Sequence, residues 1–173
     1  GYQLGAKMYD AFKFDNLILQ AEYNFVRPYT YSHAIPLQNY AHYNQTLAHP
    51  IGANFSEKLF IINYRKERWI ARAQLMIAKY GGKIKGDSTS YGNDVYMSYS
   101  DRPSNYGIEI YQGNLTTIDY LQLNIGYIIN PLTNLKVDFC LVKRNFVNEI
   151  DEINTIFYSI GLKTDLFNRY YDF

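Results

Sequence analysis

Tyrosines interleaved with amides mark two stretches of this sequence as suited to polyol chemistry. Between residues 28 and 56 stand Tyr29, Tyr31, Tyr40 and Tyr43, with Asn39, His42, Asn44 and Gln45 among them. Between 81 and 118 stand Tyr91, Tyr96, Tyr99 and Tyr106, with Asn93, Asp94, Asp101, Arg102 and Asn105. Aromatic faces pack on the apolar faces of sugar rings, and amide side chains pair with hydroxyls. The candidate polysaccharide-binding residues are therefore Tyr29, Tyr31, Tyr40, His42, Tyr43, Asn44, Tyr91, Tyr96, Tyr99, Arg102 and Tyr106. The same mixture also suits a loop that plugs a lumen, or one that meets a protein partner.

Other chemistries find little to work with. His33, His42 and His49 are the three histidines, and their spacing matches no compact metal-ligand motif. No cysteine joins them, since Cys140 is the only one. The bland reading is that these imidazoles brace a folded loop through backbone hydrogen bonds. Glu57, Asp87, Asp94, Asp101 and Glu109 are scattered, without the close pairing that hydrolysis of a glycosidic bond needs. The aspartates also fail the alternating pattern of a calcium loop. There is no G-x-S-x-G elbow, and Gly81-Gly82-Lys83 lacks phosphate-loop spacing. No catalytic residue, cofactor or metal is expected, and the chain reads as a non-enzyme.

The elements that must position these residues are strands. Period-2 alternation dominates. Over residues 17–27, Leu17, Leu19, Ala21, Tyr23 and Phe25 share one face, with Gln20, Glu22 and Asn24 on the other. The pattern recurs over 69–77, 120–130, 135–141 and 156–166, and more weakly over 2–9 and 58–65. That makes seven strands, most near the length a tilted strand needs to cross a bilayer. Composition agrees. Of 173 residues, 17% are aromatic and only 19% are charged, below the roughly 25% of a soluble domain. Mean hydropathy is −0.31, and no run approaches the roughly 18 apolar residues of a membrane helix. Seventeen basic against sixteen acidic residues give a net charge of +1, which argues against a nucleic-acid partner.

The connections alternate in length. Residues 10–16, 66–68 and 131–134 are short, whereas 28–56 and 81–118 far exceed the usual hairpin of about 2–5 residues. Residues 148–154 are of middle length. Outer-membrane barrels have short periplasmic turns and long outer loops. The expected fold is thus all-β, an antiparallel up-and-down transmembrane β-barrel, with about seven strands as one part of a larger barrel. An eighth strand within 94–100 or 108–112 is the other way to reach an even number. A soluble β-sandwich or lipocalin-like barrel would alternate too, but without long loops confined to one side. Gln20, Glu22, Asn24, Asn63, Arg65, Arg72, Gln74, Gln122, Asn124, Lys136, Asp138, Arg144, Lys163 and Asp165 would line the lumen, with both charge signs mixed.

Several stretches resemble a family of Bacteroidetes outer-membrane proteins, the capsule assembly proteins of the Wzi type and the gliding-motility proteins of the RemB type. They are EYNFVRPYTYSH at 22–33, NYAHYNQ at 39–45, LAHPIGANF at 47–55, SNYG at 104–107, NPLTNL at 130–135 and LFNRYYDF at 166–173. The resemblance implies an outer-membrane barrel concerned with capsular polysaccharide or gliding. In the Wzi type it implies an eighteen-stranded lectin, of which 1–173 would be a single C-terminal barrel segment. It implies no individual site residue. Tyr158, Gly161, Leu162, Leu166 and the terminal Phe173 resemble the signal read by barrel-assembly machinery, and the N-terminus reads as the interior of a strand. The expected location is the outer membrane, with lipid, surface polysaccharide and that machinery as partners. A transport pore and a structural subunit of a gliding or secretion assembly are the alternatives.

Overall fold

The computed structural model describes residues 1–164. The chain is all-β, and among the described residues helical content is confined to three single turns of 3-10 type. The strands are β1 (Tyr2–Met8), β2 (Leu17–Val26), β3 (Ala41–His42), β4 (Gln45–Thr46), β5 (Phe55–Lys66), β6 (Trp69–Gly82), β7 (Asn114–Asn130), β8 (Leu135–Val147) and β9 (Glu152–Lys163). Seven form one antiparallel sheet in the order β1-β2-β5-β6-β7-β8-β9, and β3 pairs with β4 alone. The seven long strands are those of the periodicity. Of these, β5 to β8 run further than it indicated, extending past the apolar alternation into polar ends such as Asn114-Leu115-Thr116-Thr117. By contrast, β1 and β2 each end one residue earlier, and β9 covers Glu152–Lys163 against the expected 156–166. Neither 94–100 nor 108–112 is a strand. Among the described residues the sheet is open, since β1 and β9 each pair on one side only. Asp165, Leu166 and Phe173, and with them the lumen and C-terminal expectations they carry, lie outside the described residues.

Short turns are set by local side-chain chemistry. Asn130 Oδ1 accepts from the Leu132 N–H, closing the β7–β8 turn. Asn148 Oδ1 accepts from both Ile150 and Asp151, closing the β8–β9 turn. Asp10 Oδ1 does the same for Asn16 at 2.7 Å between β1 and β2. Such small side chains substitute for a backbone partner and fix the reversal.

The register sorts every strand onto two faces. Leu19, Ile62, Ala73, Leu123, Leu141 and Tyr158 fall in one transverse row, and Leu17, Tyr64, Ala71, Ile125, Phe139 and Ile160 in the next. On the opposite face Asn63, Arg72, Asn124, Cys140 and Ser159 form a row. All thirteen described residues expected in a lumen share that polar face. Among the described residues no second sheet covers either face.

Burial is concentrated where the long loops meet the sheet. Val26, Ala53 and Phe55 form the core there, with Tyr31, Ile51 and Tyr80 packed around them. Phe55 is 0% exposed and lies with its ring 4.4 Å from that of His49. Phe55→Ala should therefore lower stability by about 3–5 kcal/mol, read as a lower midpoint in equilibrium denaturant unfolding. An unchanged midpoint would show that this cluster does not hold the loops.

Candidate functional site

Both long loops leave the same end of the sheet and bind to one another. Loop one runs from residue 27 to 54 and loop two from 83 to 113. The backbone N–H of Tyr29 donates to the Gly92 carbonyl, and that of Ala53 to the Asn93 carbonyl. Asn39 Nδ2 donates to the carbonyls of Val95 at 2.6 Å and Met97 at 3.1 Å. Asn93 Nδ2 returns the contact to Ile51 and Ala53, at 2.7 Å each. The Ser98 hydroxyl donates to the Ala34 carbonyl. Gly92 sits at the seam with φ +83, and an added Cβ would lie 2.7 Å from the Tyr29 nitrogen. Only glycine fits that approach.

Asn54 is the hub of this joint. It is 0% exposed and left-handed at φ 56, a conformation that asparagine tolerates better than most residues. Its two amide hydrogens are shared among the carbonyls of Gly81 at 2.9 Å, Tyr91 at 3.1 Å and Gln112 at 3.0 Å. Its Oδ1 accepts from the Tyr111 N–H at 2.6 Å. Gly81 has no room for a side chain, because a Cβ there would meet the Gln112 oxygen at 2.0 Å.

The candidate residues divide into two populations. The Tyr29 hydroxyl donates to the Ser90 carbonyl at 2.7 Å and accepts from Gln112 Nε2 at 3.0 Å. Burial, its largest influence, pushes the Tyr29 phenol above its ordinary pKa, and it does the same for Tyr31. The Tyr91 hydroxyl donates to Asp87 Oδ2 at 2.7 Å. Tyr99 is half-buried, with the Arg102 guanidinium 5.3 Å from its ring centre. Arg102 spends its Nε and Nη2 on Asn105 Oδ1 and its Nη1 on the Tyr99 carbonyl. These five residues build the loops. Tyr40, His42, Tyr43, Asn44, Tyr96 and Tyr106 remain exposed. Tyr43 and Asn44, at φ 48 and 57, form the two-residue tip between β3 and β4, where two left-handed residues suit the strand twist. Tyr43 is 89% exposed and has the His42 ring edge-on at 4.2 Å.

The histidines take separate roles. His33 meets the edge of Tyr99, and His42 meets Tyr43. His49 Nδ1 accepts from the Ile51 N–H, while its Nε2 lies 3.1 Å from Glu57 Oε2. Glu57 also accepts from Asn24 Nδ2 at 2.7 Å, so the end of loop one is tied down onto the polar face of the sheet.

A groove of about 360 Å³ lies between the two loops and the rims of β6 and β7. Tyr80, Lys83, Asn93, Asp94, Tyr96 and Asn114 are among its lining residues. Of the eleven candidates only Tyr96 reaches it. Tyr80 and Asn114 escaped the sequence reading because they sit at strand ends, and Lys83, just past β6, was weighed only for a phosphate loop. The available signal was the polar overrun of β6 and β7 beyond their apolar residues. Asn114 is buried, and its Oδ1 accepts from the Glu149 N–H at 3.2 Å. The lining supplies an aromatic face, amides, one cation and one carboxylate, a combination able to hold a sugar ring.

Two outcomes follow from the joint. Asn54→Asp replaces a donor by an oxygen aimed at three carbonyls, at a cost of about 1–3 kcal/mol. Asn54→Gly keeps the backbone and removes the amide. Both should speed protease cleavage within residues 83–113, and resistance equal to the parent in both would discount the clamp. The second outcome concerns acid. Hydrogen bonds from the Thr89 side chain, the Thr89 N–H and the Tyr91 hydroxyl hold the Asp87 carboxyl at about 2, below its ordinary 3.8. The turn is thus favoured in full above pH 3.8 and loses that support as pH falls through about 2. The Thr89 amide resonance should titrate over that window, and Asp87→Asn should flatten it.

No protein-family model, curated protein or solved structure matches this chain.

Proposed function

We propose that this chain is a wall segment of an outer-membrane β-barrel whose joined surface loops bind polysaccharide. One observation carries the membrane part of the reading, the apolar face of the sheet, which Lys58, Asp119 and Lys143 interrupt toward the long-loop end. Trp69, Ile125, Tyr158, Ile160 and Leu162 stand exposed on it, Ile160 by 76%. On a soluble protein such a surface would exceed the few hundred Å² normally left to water. From Ile129 to Leu121 the face stays apolar over nine residues of β7, eight steps or about 26 Å along the strand. At a tilt of about 40° this spans about 20 Å of membrane, near the height of an outer-membrane apolar band. The opposite face mixes amides with both charges, as a lumen wall would. Trp69 and Tyr127 meet edge-on at 5.0 Å at the short-turn end, where an aromatic girdle belongs. The free edges of β1 and β9 call for further strands, because lipid leaves no unpaired backbone group satisfied.

The ligand part rests on the groove and on the exposed aromatics at the loop tips. Capsular polysaccharide is the first ligand to test, on the resemblance to capsule assembly and gliding-motility proteins. Deleting residues 28–56 would remove Asn54 and Phe55 as well, so point substitutions make the sharper test. In the full-length protein from native envelopes, unheated and heated samples should migrate differently on a gel, and the protein should follow the outer membrane. Tyr96→Ala and Tyr43→Ala should keep that migration while weakening retention of purified capsular polysaccharide by about two- to ten-fold each. A soluble, heat-indifferent protein would sink the barrel. Undiminished retention in both variants would sink the binding site.

A further inference from the structure

The apolar face is not uniform. Beside the open edge, Ala6 of β1 pairs with Ala21 of β2, and Ala21 with Phe60 of β5. Two methyl groups thus lie next to a phenyl ring, leaving a depression of about 430 Å³ with Leu19 and Phe12 toward the short-turn end. A second hollow shares Ala6, Ala21 and Phe60 and continues toward the loop end, where Lys58 lines it. The two are one apolar trough with a cation at the end nearer the long loops.

Lys58 is the unusual member. It is exposed on the same face as Phe60 and Ile62, and its ammonium has no hydrogen-bond or ion-pair partner among the described residues. Lys79 lies diagonally across the β5–β6 pair, opposite Ser56, and adds a second cation beside Lys58. Around this spot the same face carries Tyr23, Ser56, Phe60 and Ile77, and the carboxylate of Asp119 stands two strands away in Lys58's own row. A lysine on a lipid-facing wall costs little at the interface and several kcal/mol toward the midplane. Its height, one row beyond Phe60, places it at the margin of the apolar band, where anionic headgroups lie.

We infer that this trough holds an acyl chain of an anionic phospholipid, with the headgroup phosphate on Lys58. The inference rests on the barrel reading above and adds a specific lipid site to it. Small side chains on the floor provide room for the chain, Phe60 and Leu19 give it dispersion contact, and the lysine selects charge.

The test uses the full-length protein in mild detergent, mixed with dioleoylphosphatidylglycerol or dioleoylphosphatidylcholine, with retained lipid counted by native mass spectrometry. The parent should keep one phosphatidylglycerol and prefer it several-fold over phosphatidylcholine. Lys58→Gln should abolish the preference. Ala21→Leu should fill the floor and abolish retention of both lipids, with Ala6→Leu as a second filling variant if the first does not fold. Folded, heat-modifiable protein that retains no lipid, shows no preference, or retains it equally after filling overturns this inference alone. Protein without heat-modifiable migration overturns the barrel reading beneath it.

Discussion

Asn54 stands at the point where loop one ends and β5 begins, and one carboxamide there ties together segments far apart in sequence. Its nitrogen serves carbonyls at the end of β6 and at the start and finish of the loop-two stretch 91–112, while its oxygen receives the Tyr111 N–H. A fully buried position surrounded by carbonyl oxygens needs a donor, and the adjoining N–H needs an acceptor. A primary amide offers both within the space of a short side chain. Leaving these backbone groups unpaired in the interior would cost about as much as losing the hydrogen bonds themselves. The left-handed backbone at Asn54 and the bare Gly81 beside it are the conformational conditions for this arrangement. Through that joint the loops inherit the register of the sheet.

The sheet has a different economy from the loops. Between its two edges the backbone groups are satisfied strand by strand, yet among the described residues neither face is covered by another sheet. Burial of apolar surface is therefore concentrated at one end, around Phe55, Val26 and Ala53. A seven-stranded sheet with an apolar face turned outward gains little from water exclusion within its own chain. An apolar medium on that face and further strands at both edges would resolve this, which is the physical content of the barrel proposal. The tie from His49 to Glu57 sets part of loop one against the polar face. One of the three loop roles left open by composition, packing over the polar face, therefore has a footing alongside saccharide contact.

Tyrosine serves both purposes in the same loops. Tyr29 and Tyr91 direct their hydroxyls to protein acceptors, and Gln112 links the two by donating to the Tyr29 oxygen and the Tyr91 carbonyl. Asn39 and Asn93, whose amides suited sugar hydroxyls by type, spend them across the loop seam instead. The proposed binding would fall to side chains at the tips and in the groove, where Tyr96, Lys83 and Asp94 line a rim built by others.

The strand count, the sorting of residues into two faces and the long loops on one side were legible in the sequence. A pleated strand alternates its side chains locally, so period 2 records the two environments without knowledge of any partner. The same periodicity faded at Asn114 to Thr117, where β7 rises past the apolar band, and it could not reveal β3 and β4, which are too short to alternate. The site was only half legible. Residue type nominated Tyr29, Tyr99 and Arg102 as readily as Tyr43 and Tyr96, because an aromatic or a guanidinium looks the same whether it builds a loop or faces out of it. Tertiary structure decided between them. The deciding hydrogen bonds join residues separated by up to 83 positions, and pairing over that distance is set by the register of intervening strands, not by any local pattern.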